Sequence, residues 1–584
     1  MNQHPDYLLN KVTRPADIKA FSMSELKQLA NEMRQLVLEK DAAISGHVGP
    51  NLGAMEATIA FHYVFDSPKD KIIWDISHLA YGHKMLTGRK EAFLDPDHYH
   101  DVSGYSAPNE SEHDFFTVGH TSTSVALAVG MAKARDVLGQ QGNIVAFIGD
   151  GSLSGGLAFE GLNNASVLKS NLIIVVNDNQ MSIAENQGGL YQALADLRAS
   201  NGQAKNNFFT AMGFDYHYVS DGNDLKAMIT AFEEVKGSTS PVVLHINTLK
   251  GKGYQPAVNN KERFHWSNPF DLKTGRLLKQ PSGESYAQII MDELDKQVKA
   301  GQPIVAMNAA IPGAFKLHEF EAKHPDRYLD TGIAEQDCLT EAAGLAKGGT
   351  KPVVFQNSTF MQRAYDQLSH DVALNDLPVI IMVNGGINGG SKTHLGIFDI
   401  PYLNTIPNIN YLHPSNQAEL LAMLRWALAK AKHPVAIRIP SQPVVLGTAL
   451  QEDFAPSHYD LVREGKTVAL LGLGKFAQLA VETAELLAKK GRQVTVVKPY
   501  SATSLDEECL SGLEAKHRLV VTLEDASIVG GFGSLVSQFY ADKAMKVLNY
   551  GAAKEFTDNI SQAELYKQFH LTPELLAQDI EENL

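Results

Sequence analysis

Short apolar runs alternate with segments of helical periodicity along most of the chain. Between residue 22 and about residue 270, the runs NIVAFIG (143–149), NLIIVVN (171–177) and PVVLHIN (241–247) are rich in Val and Ile and separated by amphipathic stretches. Such runs predict parallel strands covered by helices on both faces. The rhythm returns in QPIVAMN, KPVVFQNS, LPVIIMVN and HPVAIRIP, the last ending near Ser441, and again from near Leu461 in KTVALLGLG, RQVTVVKP, HRLVVTLED and KVLNYG. The expectation is an α/β protein of three consecutive α/β domains with mostly parallel sheets, at residues 1–270, 280–445 and 455–584. The stretch HWSNPFDLKTGRLLKQPSGES (265–285) has neither period, carries Pro and Gly, and is expected to be a linker.

Length agrees with several domains, because 584 residues exceed what one hydrophobic core serves. Lys plus Arg number 51 against 66 Asp plus Glu, and the net charge of −15 disfavours broad contact with nucleic acid or an anionic membrane. Any phosphate must therefore be held locally. Cys338 and Cys509 are the two cysteines, without metal-type spacing, as expected of a reduced compartment. The start, MNQHPDYLLNKVTRPADI, has no apolar signal-peptide core, and no run approaches the roughly 20 apolar residues of a membrane span. A cytoplasmic location is expected.

The candidate chemistry begins in GDGSLSGGLAFEGLNNAS, where Asp150 follows a predicted strand and precedes a helix of small residues. In the next strand, LIIVVNDNQMS, Asn179 and Met181 lie just past the carboxyl end. Loops at the carboxyl ends of neighbouring parallel strands share one crevice, so these residues can face one site. A carboxylate, an amide oxygen and a backbone carbonyl are the hard oxygen ligands that Mg²⁺ or Ca²⁺ takes. The glycines beside Asp150 allow a diphosphate close approach to the backbone. GDG by itself is also an ordinary turn after a strand; Asn179, 29 positions on and across an intervening strand, is what makes it a fingerprint.

That fingerprint resembles the thiamine diphosphate site of the transketolase superfamily. SGHVGPNLGAMEAT (45–58), WDISHLAYGHKMLTGR (74–89), VGHTSTSVALAVGMA (118–132), GKGYQP (251–256), PDRYLDTGIAEQ (325–336), STFMQRAYDQLSHDVAL (358–374) and THLGIFDI (393–400) resemble 1-deoxy-D-xylulose-5-phosphate synthases in order and spacing. The resemblance implies a transketolase-like fold, thiamine diphosphate and Mg²⁺ as cofactors, and a homodimer. It implies Asp150, Asn179 and Met181 as metal ligands, and His78, Gly119, His120, Thr121, Gly151, Ser152, Asn179 and Tyr254 as cofactor contacts. Phe360 corresponds to the aromatic that stacks on the aminopyrimidine. Glu335 corresponds to the glutamate that donates a hydrogen bond to that ring, which requires a raised pKa. His47, His265 and His394 correspond to substrate-side histidines, selected by motif position among 21 in the chain. The implied reaction decarboxylates pyruvate, a 2-oxo acid donor, and joins the remainder to an aldehyde acceptor, D-glyceraldehyde 3-phosphate.

The chain departs from this family at the acceptor end. Where the family places phosphate-gripping arginines, this sequence has MVNGGINGGSKTH (382–394), without arginine, and RIPSQ, with Ser441. Asn357 stands where a tyrosine is expected and Asp337 where a histidine is usual; Arg363 is the arginine of the acceptor cluster that remains. Lys392 and Arg438 are candidates to compensate. The stretch after Asn186 lacks about thirty residues of a mobile insert, a change expected to affect closure more than folding. GLGKFA (472–477) imitates a dinucleotide-binding turn, but the next strand ends in Lys498 and Pro499 where a ribose-binding acid belongs, so a structural turn is expected. Two rival expectations stand beside the main one: the same chemistry with a less phosphorylated acceptor or another donor, and a non-catalytic paralogue. Joint retention of Asp150, Asn179 and Glu335 argues against the second.

Overall fold

In the first sheet, strand order and side-chain alternation together place apolar residues on two opposite faces. A computed structural model describes residues 4–280, 283–447 and 454–584. Five strands, β1 (Lys71–Trp74), β2 (Ile144–Gly149), β3 (Leu172–Asp178), β4 (Asp215–Val219) and β5 (Pro241–Asn247), pair in the order β1-β2-β3-β5-β4, all parallel. Because successive side chains leave a strand on opposite sides, Phe147, Ile173, Val175 and Leu244 join the core under helix Met23–Ile44. Ala146, Ile148, Ile174 and Val176 join the core under helices Ser124–Val137 and Gly156–Ala165. Each fully buried aliphatic side chain contributes about 1.5–3 kcal/mol, so this double cover is what makes the central runs apolar at every position.

This sheet belongs to a compact unit made of Met1–Ser282 with Gly332–Ala334. The segment expected to be a linker is largely part of it. Gly46 and Ser267 exchange backbone hydrogen bonds at 3.1 and 2.9 Å, Phe270 N–H donates to the Ala42 carbonyl at 3.0 Å, and Phe270 is buried in the core. These ties replace helix and strand ladders, so the stretch shows no period although it is held in place. The same expectation extends over Pro281 and Ser282, which lie outside the described residues.

The second compact unit, Gly283–Thr331 with Glu335–Leu584, contains two sheets. The first is wholly parallel: β6 (Ile304–Asn308), β7 (Tyr328–Asp330), β8 (Lys351–Asn357), β9 (Ile380–Asn384), β10 (Asn410–Leu412) and β11 (Val435–Ile439), in the order β10-β11-β9-β8-β6-β7. The second comprises β12 (Tyr459–Arg463), β13 (Thr467–Gly472), β14 (Thr495–Pro499), β15 (His517–Ser527) and β16 (Lys546–Ala552), ordered β12-β14-β13-β15-β16, with β12 antiparallel at the edge. Val354, Ile381 and Val383 share one core with Ala469, Leu471 and Val520, which is why two sequence blocks form a single unit. Among the described residues no helix is long and apolar enough to cross a membrane.

Candidate active site

At the carboxyl ends of β2 and β3 the first unit builds an oxygen-lined site. Gly149 pairs in register with Asn177, and Asp150 N–H donates to the Asn177 carbonyl at 3.1 Å, which sets Asp150 at the crevice between the two strands. The Asp150 carboxylate is buried and accepts from Met181 N–H at 3.0 Å and from Asn186 Nδ2 at 2.7 Å. Burial, then the neighbouring Asp178 charge, push its pKa up to about 7. The side-chain oxygens of Asn179 and Asn186 are buried without hydrogen-bond partners. A divalent cation answers both facts, because it offsets the cost of the buried carboxylate and gives an orphaned amide oxygen a partner. Among the described residues no three His, Cys, Asp or Glu side chains converge on a metal position. The set Asp150, Asn179 and the Met181 carbonyl contains one carboxylate and two neutral oxygens, and so suits a hard cation that keeps diphosphate oxygens as further ligands.

Backbone turns close around this site. Asp75, at the end of β1, accepts from Ser122 N–H at 2.7 Å and Ser124 N–H at 2.9 Å, fixing the turn that carries Gly119, His120 and Thr121. Ser122 Oγ donates to the Ser152 carbonyl at 2.8 Å, tying that turn to the Gly151–Ser152 turn. A Cβ on Gly151 would lie 2.5 Å from Ser182 Cβ, so no larger residue fits. Arg198 and His245 hold Asp178 from behind.

Three of the histidines chosen by motif, His47, His78 and His265, come together in this unit. The His47 ring lies 5.1 Å from His78 and 5.7 Å from His265, and His78 stacks on His265 at 5.0 Å. Asn51 Nδ2 donates to the carbonyls of His47 (2.7 Å) and His78 (2.8 Å), while the Gly46–Ser267 pairing brings His265 alongside. Desolvation, then the charges of Lys250, His78 and His47, hold the His265 pKa well below its usual value, so the ring is neutral. Tyr254 is buried, its hydroxyl donated to the Leu272 carbonyl at 3.0 Å and its ring packed against Phe264 and Phe270.

The second unit gathers the other predicted residues at the carboxyl ends of β7, β8 and β9. Glu335 opens helix Glu335–Lys347 and is buried, which raises its pKa; Arg363 Nη1, 3.8 Å away, opposes that shift. Phe360 packs edge-on to His394 at 5.6 Å, and desolvation lowers the His394 pKa to about 4. Gln356 has both amide atoms buried and unpaired, and the Asn357 side-chain oxygen is likewise buried without a partner. Each such group costs stability unless a partner reaches it.

Residues 9–205 and 200–248 match the family model described as 1-deoxy-D-xylulose-5-phosphate synthase, residues 283–445 the transketolase pyrimidine binding domain, and residues 457–576 the transketolase C-terminal domain. A 1-deoxy-D-xylulose-5-phosphate synthase of Symbiobacterium thermophilum is 39% identical over 98% of this chain and 94% of its own length. Those of Syntrophomonas wolfei (37% identical, 98% of this chain, 96% of its own) and Chlorobaculum tepidum (38%, 98% and 97%) match as fully. This chain belongs to the 1-deoxy-D-xylulose-5-phosphate synthase family.

Measured against that family, the acceptor-end departures acquire a physical setting. Neither compensating candidate is uncommitted: Arg438 is buried, bonded to Asp399 and to Tyr411 Oη, and Lys392 pairs with Asp558 at 3.2 Å. A cation that motif reading passed over does reach Ser441. Lys475, from the GLGKFA turn, donates to Ser441 Oγ at 3.0 Å and pairs with Asp525 at 2.8 Å. The turn therefore presents an ammonium group ahead of helix Phe476–Lys489, with Gly474 at φ +57°. Lys250 was also missed. It sits one residue before the GKGYQP motif and is 2% exposed, and an unusual buried lysine has no signature in one sequence.

Proposed function

We propose that the two residue groups divide between them the work of a 1-deoxy-D-xylulose-5-phosphate synthase. In that reaction pyruvate loses carbon dioxide and its remaining two carbons join D-glyceraldehyde 3-phosphate, giving 1-deoxy-D-xylulose 5-phosphate. Thiamine diphosphate, bound through Mg²⁺, supplies the electron sink that cleavage beside a carbonyl requires. Asp150, Asn179 and the Met181 carbonyl hold the metal. His78, the Gly119–Thr121 turn, Gly151 and Ser152 take the diphosphate, and Tyr254 lines its approach. Glu335 keeps its proton at neutral pH, as its burial supports, and donates it in a hydrogen bond to the aminopyrimidine, against which Phe360 packs. His47, His265 and His394 stand on the substrate side; desolvation keeps the last two neutral, fit to donate or accept hydrogen bonds. Arg363 faces the acceptor.

The observation that carries this assignment is the buried Asp150 carboxylate beside the orphaned Asn179 oxygen, a pair that costs stability until a cation joins it. A less phosphorylated acceptor is not favoured, since relatives named 1-deoxy-D-xylulose-5-phosphate synthase align over nearly the whole chain. Replacing Glu335 with Ala is expected to abolish pyruvate decarboxylation and spare Mg²⁺-dependent cofactor binding; unchanged turnover would refute its role.

A homodimer is part of this proposal. Sedimentation equilibrium at micromolar protein tests it, a monomer being the adverse result. The free thiols, Cys338 buried and Cys509 half-buried, support a reduced cytoplasmic setting.

A further inference from the structure

We infer that Asp558 is a positioning residue that holds the short turn carrying His394, chiefly through the main-chain N–H of Lys392. That turn, Lys392–His394, follows the stretch 385–390, in which four of the six residues are glycine, so the stretch has little conformational preference with which to fix what comes after it. The ties come instead from the segment between β16 and helix Gln562–Gln568. Asp558 meets both donors of one residue: its Oδ1 accepts from Lys392 N–H at 3.1 Å, and its Oδ2 lies 3.2 Å from Lys392 Nζ. Asn559 N–H donates to the Gly390 carbonyl at 2.7 Å, and Gln562 Nε2 to the Ile387 carbonyl at 2.6 Å. A Cβ on Gly389 would lie 2.7 Å from the Ile560 carbonyl oxygen, so here the two segments touch backbone to backbone.

Both segments are anchored beyond the contact. Ile387, Leu395 and Ile397 are buried in one core with Leu565 and Leu571. Just after Asp558, Ser561 and Glu564 close a capping box at the start of helix Gln562–Gln568. Within the turn, Ser391 Oγ accepts from Thr393 N–H at 3.2 Å and lies 2.9 Å from Thr393 Oγ1, which in turn lies 2.8 Å from His394 Nδ1. Lys392 stands between Ser391 and Thr393. The residue that Asp558 grips is therefore the one whose backbone sets the spacing of those two hydroxyls, and through them the place of the His394 ring.

The C-terminal block thus supplies the frame for a residue of the preceding one. Asp558 acts through His394, whose place on the substrate side is the reading proposed above, and touches neither substrate nor cofactor.

The test uses the full chain. Amide hydrogen exchange is expected to be slow across residues 386–394 in the wild type and at least about tenfold faster there in D558A, with the rest of the chain unchanged. D558A should lower kcat about 10–100-fold, the effect of moving a reacting group by about 1 Å. D558N, which keeps an oxygen for the Lys392 N–H, should restore most of that loss. K392M, which keeps the N–H itself, should lower kcat less than about fivefold, as loss of a partly exposed ion pair does. The double variant D558A/H394N should be no slower than H394N alone. Fast exchange across 386–394 in the wild type, wild-type kcat in D558A, D558N as slow as D558A, or a double variant in which the two losses multiply would each overturn the inference. The wild-type exchange pattern and K392M decide even if D558A does not fold. If H394N turns over at the wild-type rate, the substrate-side assignment of His394 fails instead, and exchange in D558A still decides whether Asp558 holds the turn.

Discussion

Replacing Asn179 with Ala should have opposite effects on the ligand-free and the cofactor-loaded protein. The Asn179 side-chain oxygen is buried and unpaired, a state that costs about 1–3 kcal/mol. Removing it leaves ligand-free stability unchanged or raises it by up to about 1 kcal/mol after lost packing is subtracted. With thiamine diphosphate and Mg²⁺ at about 100 times their wild-type Kd, binding adds about 2.7 kcal/mol to the wild type, about 5–11 °C in melting temperature for a unit of this size. Loss of a bond to a charged partner, about 1.5–3 kcal/mol, weakens affinity about 10–150-fold. At the hundredfold level the ligand term falls to about 0.4 kcal/mol, a shift under about 2 °C. Scanning calorimetry with and without both ligands reads the two signs in one experiment. A variant that melts several degrees lower without ligand, yet keeps the full ligand-induced shift, would refute the claim that this oxygen awaits a metal.

Three further outcomes are expected. Burial raises the Glu335 pKa above the unfolded value of 4.5, so the folded state binds more protons than the unfolded one between those two values, and stability falls as pH rises through that window. E335Q, which does not titrate, should gain on the wild type in urea denaturation as pH rises above the unfolded value of 4.5, while losing turnover; a gain that shrinks with pH contradicts the sign. G151A places a Cβ 2.5 Å from Ser182 Cβ and 2.9 Å from Ser182 Cα, an overpacking cost of about 1–3 kcal/mol that displaces the residue after Met181. Calorimetric titration should show Mg²⁺-dependent cofactor binding weakened at least about fivefold, the low end of that cost, and intact affinity would show that the turn has room. K475M strands the largely buried Asp525 carboxylate, so the melting of the second unit should fall by about 3–5 kcal/mol, less whatever Arg438 at 3.9 Å recovers; an unchanged melt would make the pair dispensable.

The strands that the apolar pattern predicts are those with a neighbour on each side, together with β16. The strands it does not predict, β1, β4, β7, β10 and β12, all lie at sheet edges. β4 and β12 are partly exposed along their length, and an edge strand facing water on one side carries no continuous apolar run. The metal-side residues were legible for a related reason. Asp150 and Asn179 follow two adjacent, fully covered strands, and parallel pairing puts the ends of such strands together whatever the intervening helix does.

What the linear pattern could not carry was burial by distant chain. Nothing in HWSNPF predicts that Ser267 pairs with Gly46 and so brings His265 to His47, because that contact is made of backbone groups, which every sequence possesses. Lys250 and Lys475 look like surface lysines until residues far off in the chain cover them, Gly49 and Ser182 over the one, Asp525 and Ser441 around the other. The sequence by itself determined which segments become central strands and which oxygens lie at their ends, since apolar runs and loop order are local properties. Only the tertiary structure decided which polar side chains lose water and which partner each then meets, and in this protein that decides the Glu335 proton, the Asp150 charge and the two lysines.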